Sequence, residues 1–304
     1  MNPLQTMWSI TRRKSLMNCA RQYIIRYSRN QKSFKKQTNF LHHSPSDLMI
    51  RSIRNVMVER LEDLRNSVEW SEKMVSLKIK LSLKHEFGIE RKNNLKSDKI
   101  NLFNSLIKKS NSRIDALWDT DIIKKISTGQ IKEWSCLDRS EFLPNGHLDI
   151  YCSPDITFKL QNKWHLVRID FQGEKYPKYD DLESLSMVNW AKQKKYLPSL
   201  TDQFIVHTVK FIDGQWHHQR FTPNEDLLQQ SKQLLEKDVE QMNKLVNRMG
   251  PLSDLSLVPL SSSVHYCKKC SCKSLCPAYG ELEISKIEQK AIEYHNAKTM
   301  YELK

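Results

Sequence analysis

The sequence predicts a mixed α/β protein, with a sheet in the centre of the chain and helical additions on both sides. Three observations predict it. Between Gly129 and Phe221, short runs such as Trp164–Phe171 (WHLVRIDF) and Phe204–Ile212 (FIVHTVKFI) have the apolar content and spacing of strands. A helical pattern, Asp180–Lys195, interrupts those runs, giving the order strands, helix, strand, strand, helix. Before Gly129 and beyond Phe221, apolar residues recur mainly at helical spacing.

The elements follow in order. Residues 8–28 read as one helix entered through Ser9 or Thr11, with Leu16, Cys19, Ala20, Tyr23, Ile24 and Tyr27 at helical spacing. Residues 29–46 are polar and basic, as in a loop. Residues 47–86 are helical in pattern from Ser46 or Asp47, 87–99 a connection, and 100–127 further helix interrupted near Asp119. Strands are expected over 131–137, 146–151, 156–160 and 164–171. A turn at Gln161-Asn162 folds the last of these back on its neighbour, with Pro154 as a bulge. Asp213-Gly214 is a hairpin signal between 204–212 and 216–221. Pro223 and Asn224 start a long helix to Arg248, ended by Gly250-Pro251; a loop, a cysteine-rich stretch and a last helix from Glu281 follow. The domains expected are a helical region 1–128, a sheet core 129–222, and C-terminal helices with the cysteines, 223–304.

Composition narrows the function. The 304 residues carry a net charge of +14 and a pI near 9.4, which favours a polyanionic partner such as nucleic acid. The competing reading is a lysine-rich surface that only aids solubility. Seven glycines are few, and neither GxxxxGK[ST] nor GxGxxG occurs, which argues against nucleotide-phosphate loops. No run of about 18 apolar residues is present, so no membrane span is expected. The expected location is the cytoplasm. The alternative is an organellar matrix, because Met1–Ser46 is basic and free of acids.

Seven cysteines suit metal binding better than a disulfide framework. Cys267-x2-Cys270-x5-Cys276 precedes Pro277, and three local thiolates leave one position that Cys19 can fill if the first helix packs there. By spacing alone, Zn²⁺ and an iron–sulfur cluster are equal readings, and Cys272 could replace one ligand. Such a site ties the first helix to the last part of the chain.

Two acids form the second constellation. Asp149 lies in GHLDIY and Asp170 ends WHLVRID, and the expected hairpin sets them roughly opposite each other. Carboxylates flanked by apolar residues are costly to bury unless something binds them. Held on neighbouring rigid strands, they are ligands for Mg²⁺ or Mn²⁺. Glu133 is a candidate third acid; its competing reading is a solvated residue beside Lys132.

These residues carry a resemblance. Asp149 in G-x-x-D and Asp170 in I-D-F-Q resemble two core motifs of RecB-like PD-(D/E)XK nucleases. Cys19–Tyr27, C-A-R-Q-Y-I-I-R-Y, is similar to the opening motif of that group. The three C-terminal cysteines resemble the pattern of its iron–sulfur, AddB-like branch. The resemblance implies a restriction-endonuclease-like mixed sheet flanked by helices, with the chain's two ends joined by a [4Fe-4S] cluster on Cys19, Cys267, Cys270 and Cys276. It implies Mg²⁺- or Mn²⁺-dependent hydrolysis of DNA, often at single-stranded ends, at a metal site of Asp149 and Asp170.

The sequence departs from the family at several positions. Gln172 stands where the catalytic lysine is expected; it can orient a phosphate but carries no charge, and Lys175 is the nearby cation. Ser76 falls where the branch has a histidine, and His85 lies further along. Ser186-x-x-x-Trp190 replaces Q-x-x-x-Y, while Gln193 and Tyr196 have the types without the spacing. The alternative is therefore a catalytically degenerate nuclease-like subunit that binds DNA or partner proteins of a repair, CRISPR or anti-phage complex. A third reading is a zinc-stapled basic protein without nuclease ancestry. Trp8, Tyr23 and Tyr27 could stack on bases, but their helical spacing also suits a core.

Overall fold

The computed structural model describes residues 7–27, 44–89, 97–137, 150–173 and 180–248, with 255, 258–261, 266, 267, 270, 272, 273 and 276. The chain divides into two compact units: 43–143 with 150–233, and 1–42 with 144–149 and 234–304. The boundaries expected at 128 and 222 both fall inside the first of these. The helices expected as an N-terminal region are thus split between units.

The first unit is α/β, a five-stranded mixed sheet flanked by helices. Its strands are β1 Trp134–Cys136, β2 Ile156–Leu160, β3 Lys163–Asp170, β4 Phe204–Ile212 and β5 Gln215–Phe221, in that spatial order. β1–β2, β2–β3 and β4–β5 are antiparallel; β3 and β4 are parallel, in the register Val167↔His207 and Asp170↔Lys210. Both expected hairpin turns form. Gln161 and Asn162 have φ of 51° and 57°, Asp213 and Gly214 φ of 49° and 90°, the paired left-handed geometry that matches strand twist. A parallel pair needs a crossover, and α7 (Asp180–Ala191) supplies it. β4 is an interior strand, buried over seven consecutive residues, whereas β5 is a largely exposed edge of polar residues such as His217, Gln219 and Arg220. A polar edge resists pairing with other chains.

Helices α3 (Pro45–Arg65), α4 (Glu72–Glu86), α5 (Ser97–Trp118) and α6 (Asp121–Ser127) pack on one sheet face. Ile53, Leu61, Ile79, Ile114, Ile123, Val167 and Ile169 share that core, each with no exposed surface. Each such side chain contributes about 1.5–3 kcal/mol by leaving water. α7 packs on β4 from the opposite face, where Glu183 meets Arg168 of β3, so the unit has three layers.

The pattern over 47–86 proves to be two helices. α3 starts in a capping box of Ser44 and Asp47, ahead of the expected start. It ends when Ser67 turns left-handed (φ 61°) and Val68 N–H donates back to the Asp63 carbonyl at 2.8 Å, while the Trp70 indole caps the Asp63 carboxylate. α4 ends in the same motif with Gly88 at φ 60°. The break between α5 and α6 falls at Asp119–Thr120, as expected.

In the second unit, the helix expected over 8–28 is broken. α1 (Ile10–Asn18) is capped by Ser9, and α2 (Ala20–Tyr27) follows directly. Cys19 between them is extended (φ −165°, ψ 115°). Its N–H closes α1 on the Ser15 carbonyl, and its carbonyl accepts from Tyr23 N–H to open α2. The later part of α8 (Glu225–Arg248) belongs to this unit. Its Asp238 is buried, accepts from the Trp8 indole at 3.0 Å and pairs with Arg13. Arg21 Nε donates to the Val258 carbonyl at 2.6 Å, and Ile24, Ile25, Leu255, Val258 and Cys272 form a small core. Trp8 and Tyr23 are fully buried, which makes them packing residues. The last helix expected from Glu281 lies outside the described residues.

Candidate functional site

The four cysteines singled out by spacing lie within the second unit, each partly buried. The helix break at Cys19 takes its side chain out of the regular path of α1 and α2. Cys270 N–H donates to the Cys267 carbonyl at 3.2 Å, and Cys276 N–H to the Lys273 carbonyl at 3.2 Å, a chain of tight turns. The Cys267 thiol is pushed up by burial and by Cys19, Cys270 and Cys276 beside it, with Arg21 pulling down. Cys19 and Cys267, 248 positions apart in sequence, are thus electrostatic neighbours. Cys270 is also pushed up, first by a hydrogen bond with Cys272 and then by burial. Cys272 is packed in the small core. Among the described residues, no group of three or more Cys, His, Asp or Glu has its donors converged as a metal ion requires. Cys136 and Cys152 belong to the other unit. Cys136 is in β1, its thiol pushed up to about 12 by burial, and Cys152 accepts from Arg168 at 3.5 Å.

Asp170 is the last residue of β3 and is half-buried. Its Oδ1 accepts from Gln172 N–H at 2.9 Å, which closes the turn leaving the strand. The Gln172 side chain goes elsewhere: its Nε2 donates to Ser46 Oγ of α3 at 2.9 Å, so its amide is held by a helix and not by the acid. Asp149 and Lys175 lie outside the described residues. Glu133 does not join Asp170. Its carbonyl accepts from Lys159 N–H, and Lys159 pairs with Trp164 at the start of β3. Six residues of strand then separate it from Asp170, about 20 Å. The Glu133 side chain is exposed beside an open cleft with Arg65, Glu69 and Lys132.

Ser76 is also distant. Contacts of Ser82 with Ser52 and of Lys78 with Glu59 set the antiparallel register of α3 and α4. They put Ser76 near residue 60 of α3, about 14 residues or 20 Å along the axis from Ser46 and Gln172. Ser76 accepts from Asn111 Nδ2 at 3.2 Å. Ser186 and Trp190 are fully buried in α7, with Ser186 bonded to the Leu182 carbonyl; this pair is packing. Tyr196 is exposed.

Sequence reading missed three polar features of the sheet. The first is Lys210, only 5% exposed, which the parallel register sets beside Asp170. The signal was a lysine inside the apolar run FIVHTVKFI. The second is Arg168, buried, with Nε 3.0 Å from Glu183 and Nη1 3.8 Å from Asp155. Burial alone lowers its pKa; the two carboxylates outweigh that and raise it. Asp155 also accepts from Ile169 N–H at 2.6 Å, so one carboxylate serves both the strand backbone and Arg168.

The third is a ladder of histidines on the α3–α6 face. His165 Nδ1 lies 2.7 Å from His207 Nε2, and His207 Nδ1 lies 2.8 Å from His218 Nε2. Phe158 stacks on His165 with ring centroids 4.4 Å apart. Burial pushes the His207 imidazole down to about 3, helped by His165, His218 and Arg220 and opposed by Asp121. His165 and His218 are lowered too, chiefly by burial. The period-two positions in three separate strands gave no sign of this ladder, because only pairing aligns them.

No protein-family model matches the chain, and no curated protein does.

Proposed function

We propose that the chain is a DNA-processing nuclease of the PD-(D/E)XK class, with a restriction-endonuclease-like core and a four-cysteine centre that staples its second unit. The observation that carries this reading is Asp170 at the carboxyl end of β3, where the chain crosses through α7 to the parallel β4. Ligands of open α/β sheets bind outside the carboxyl ends of strands. The net charge of +14 supports a polyanionic substrate.

Asp170 is a hard oxygen donor suited to Mg²⁺ or Mn²⁺, with Asp149 as its expected companion. Such an ion activates water and neutralises the leaving oxygen. Cys19, Cys267, Cys270 and Cys276 suit a [4Fe-4S] cluster, or Zn²⁺ as the alternative. The Cys267 thiol is raised first by burial and then by Cys19, Cys270 and Cys276, and a bound cation would relieve the part that comes from thiolate repulsion. The partner is DNA, single-stranded in the first instance.

The second reading, a catalytically degenerate subunit that binds DNA or a partner protein, is favoured by one observation. Gln172, at the position of the expected lysine, spends its amide on Ser46. One experiment separates the two. Purified protein is incubated with Mn²⁺ and labelled single- and double-stranded DNA, beside an Asp170→Ala control. Cleavage by the wild type that the control lacks supports the enzyme. DNA retained but uncut supports the degenerate subunit.

A further inference from the structure

We propose that the open edge of β1 and the cleft beside it dock an extended peptide segment of a partner protein, added as a further strand, with an apolar and an acidic side chain at alternate positions. The proposal does not rest on the nuclease reading above. β1 is one edge of the sheet, paired with β2 on its inner side. The Glu133 carbonyl accepts from Lys159 N–H, and Leu137 N–H donates to the Asp155 carbonyl. In an antiparallel ladder alternate residues bond to the same neighbour, so Glu133, Ser135 and Leu137 turn their backbone groups to β2. The N–H and C=O of Trp134 and Cys136 therefore point outward, and nothing among the described residues takes them up. Two such residues, two positions apart, present the start of a ladder to one more strand.

The two edges of the sheet differ. β5 bears exposed polar residues along its length, which discourages pairing. β1 carries Trp134 and Cys136 instead, both partly buried against the α3–α6 core.

Beside this edge lies a cleft of about 620 Å³, a size that suits bound side chains. It is bounded by the C-terminal turns of α3 and α6 and by the segment leading into β1. Buried Ile126 and Ile131, with half-buried Leu64 and Trp134, give it an apolar part that fits an aliphatic side chain. Arg65, Lys132, Glu69 and Glu133 line it as exposed residues, and among the described residues no ion pair uses any of them. Glu62 and Arg65 both act on the Cys136 thiol, which places this end of α3 against β1. A carboxylate is the better match to the rim. Arg65 offers it a planar fork of donors and Lys132 a second cation, and a net charge of +14 draws acidic segments before basic ones.

The test uses the full chain and the peptide fluorescein-Thr-Leu-Thr-Glu-Thr-amide, whose Leu and Glu share a face when extended. Binding is read by fluorescence anisotropy, and by residue-resolved amide hydrogen exchange with unlabelled peptide in excess. Exchange at Trp134 and Cys136 is expected to slow, while that at Ser135, already bonded to β2, stays unchanged. Two N-methylated peptides, one at the three Thr and one at Leu and Glu, separate strand addition from side-chain capture. Only one set of amides faces β1, so one form should bind about tenfold more weakly and the other like the parent. Arg65→Gln with Lys132→Gln should weaken the Glu peptide about fivefold and leave a version with Lys in place of Glu no weaker. Both side chains are exposed, so the change spares the core. No binding of the parent peptide, an equal response of the two methylated forms, or unchanged exchange at Trp134 and Cys136 overturns the proposal. A Lys peptide that binds wild type as tightly as the Glu peptide overturns its acidic half. Displacement of the peptide by an unlabelled single-stranded oligonucleotide, with exchange at Trp134 and Cys136 unmoved by peptide, marks a nucleic-acid surface and overturns it as well.

Discussion

Acid should weaken the sheet through His207 in a way that a neutral replacement removes. The imidazole sits in β4 between His165 and His218, 6% exposed, with Arg220 and Lys125 as nearby cations and Asp121 as the opposing acid. Its pKa in the folded chain is about 3, against about 6.5 when unfolded. The unfolded state therefore binds the extra proton, and stability falls as pH drops below about 6.5 towards the folded value. At pH 5 the unfolded imidazole is protonated and the folded one is not. The difference of about 1.5 pH units from 6.5 costs about 2 kcal/mol. The assay is urea unfolding followed by tryptophan fluorescence at pH 7 and pH 5, at fixed ionic strength, for wild type and His207→Gln. The wild type should lose about 2 kcal/mol more than the variant between the two pH values. Parallel losses in both proteins would refute the reasoning, because the buried His207 would then carry no proton linkage.

Three further outcomes are expected. Cys19→Ala should lower iron or zinc content, read by elemental analysis and visible absorption, and should lower the melting temperature. Cys136→Ala and Cys152→Ala should leave the metal content unchanged. Gly173→Ala should destabilise by about 1–3 kcal/mol in urea, because its Cβ meets Lys210 and Ile212 below 3 Å. Arg168→Met should cost about 3–5 kcal/mol, since it leaves Asp155 and Glu183 without their shared cation. Adding Glu183→Gln to it should recover part of that loss.

Both hairpins, the strands over 156–160 and 163–170, the crossover helix and the long α8 were legible in the sequence. Each follows from local chemistry: Asp213-Gly214 sets its own turn, and FIVHTVKFI has no other reading as readily satisfied as a buried strand. The breaks at Asn66–Ser71 and at Cys19 were not legible. Ser67 takes a left-handed conformation that glycine usually announces, and Cys19 leaves a helix that Leu16 through Tyr27 would otherwise continue. Glu133, a candidate whose competing reading was a solvated residue, is exposed and about 20 Å of strand from Asp170, because linear distance hides which end of a strand faces the acid. Lys210 and the histidine ladder depend on register across strands, which one-dimensional patterns do not contain.

The helix break at Cys19 has a consequence in time. Residues 7–27 find their partners at 238, 255, 258 and 267, more than 200 positions later. Closing a loop of that length costs about 5 kcal/mol of chain entropy, and nothing repays it until the late segment has left the ribosome. The intervening stretch, 43–143 with 150–233, holds its own core and can be shaped first. The packing of Trp8, Arg13 and Arg21 on residues 238 and 258 is then one of the later steps of folding.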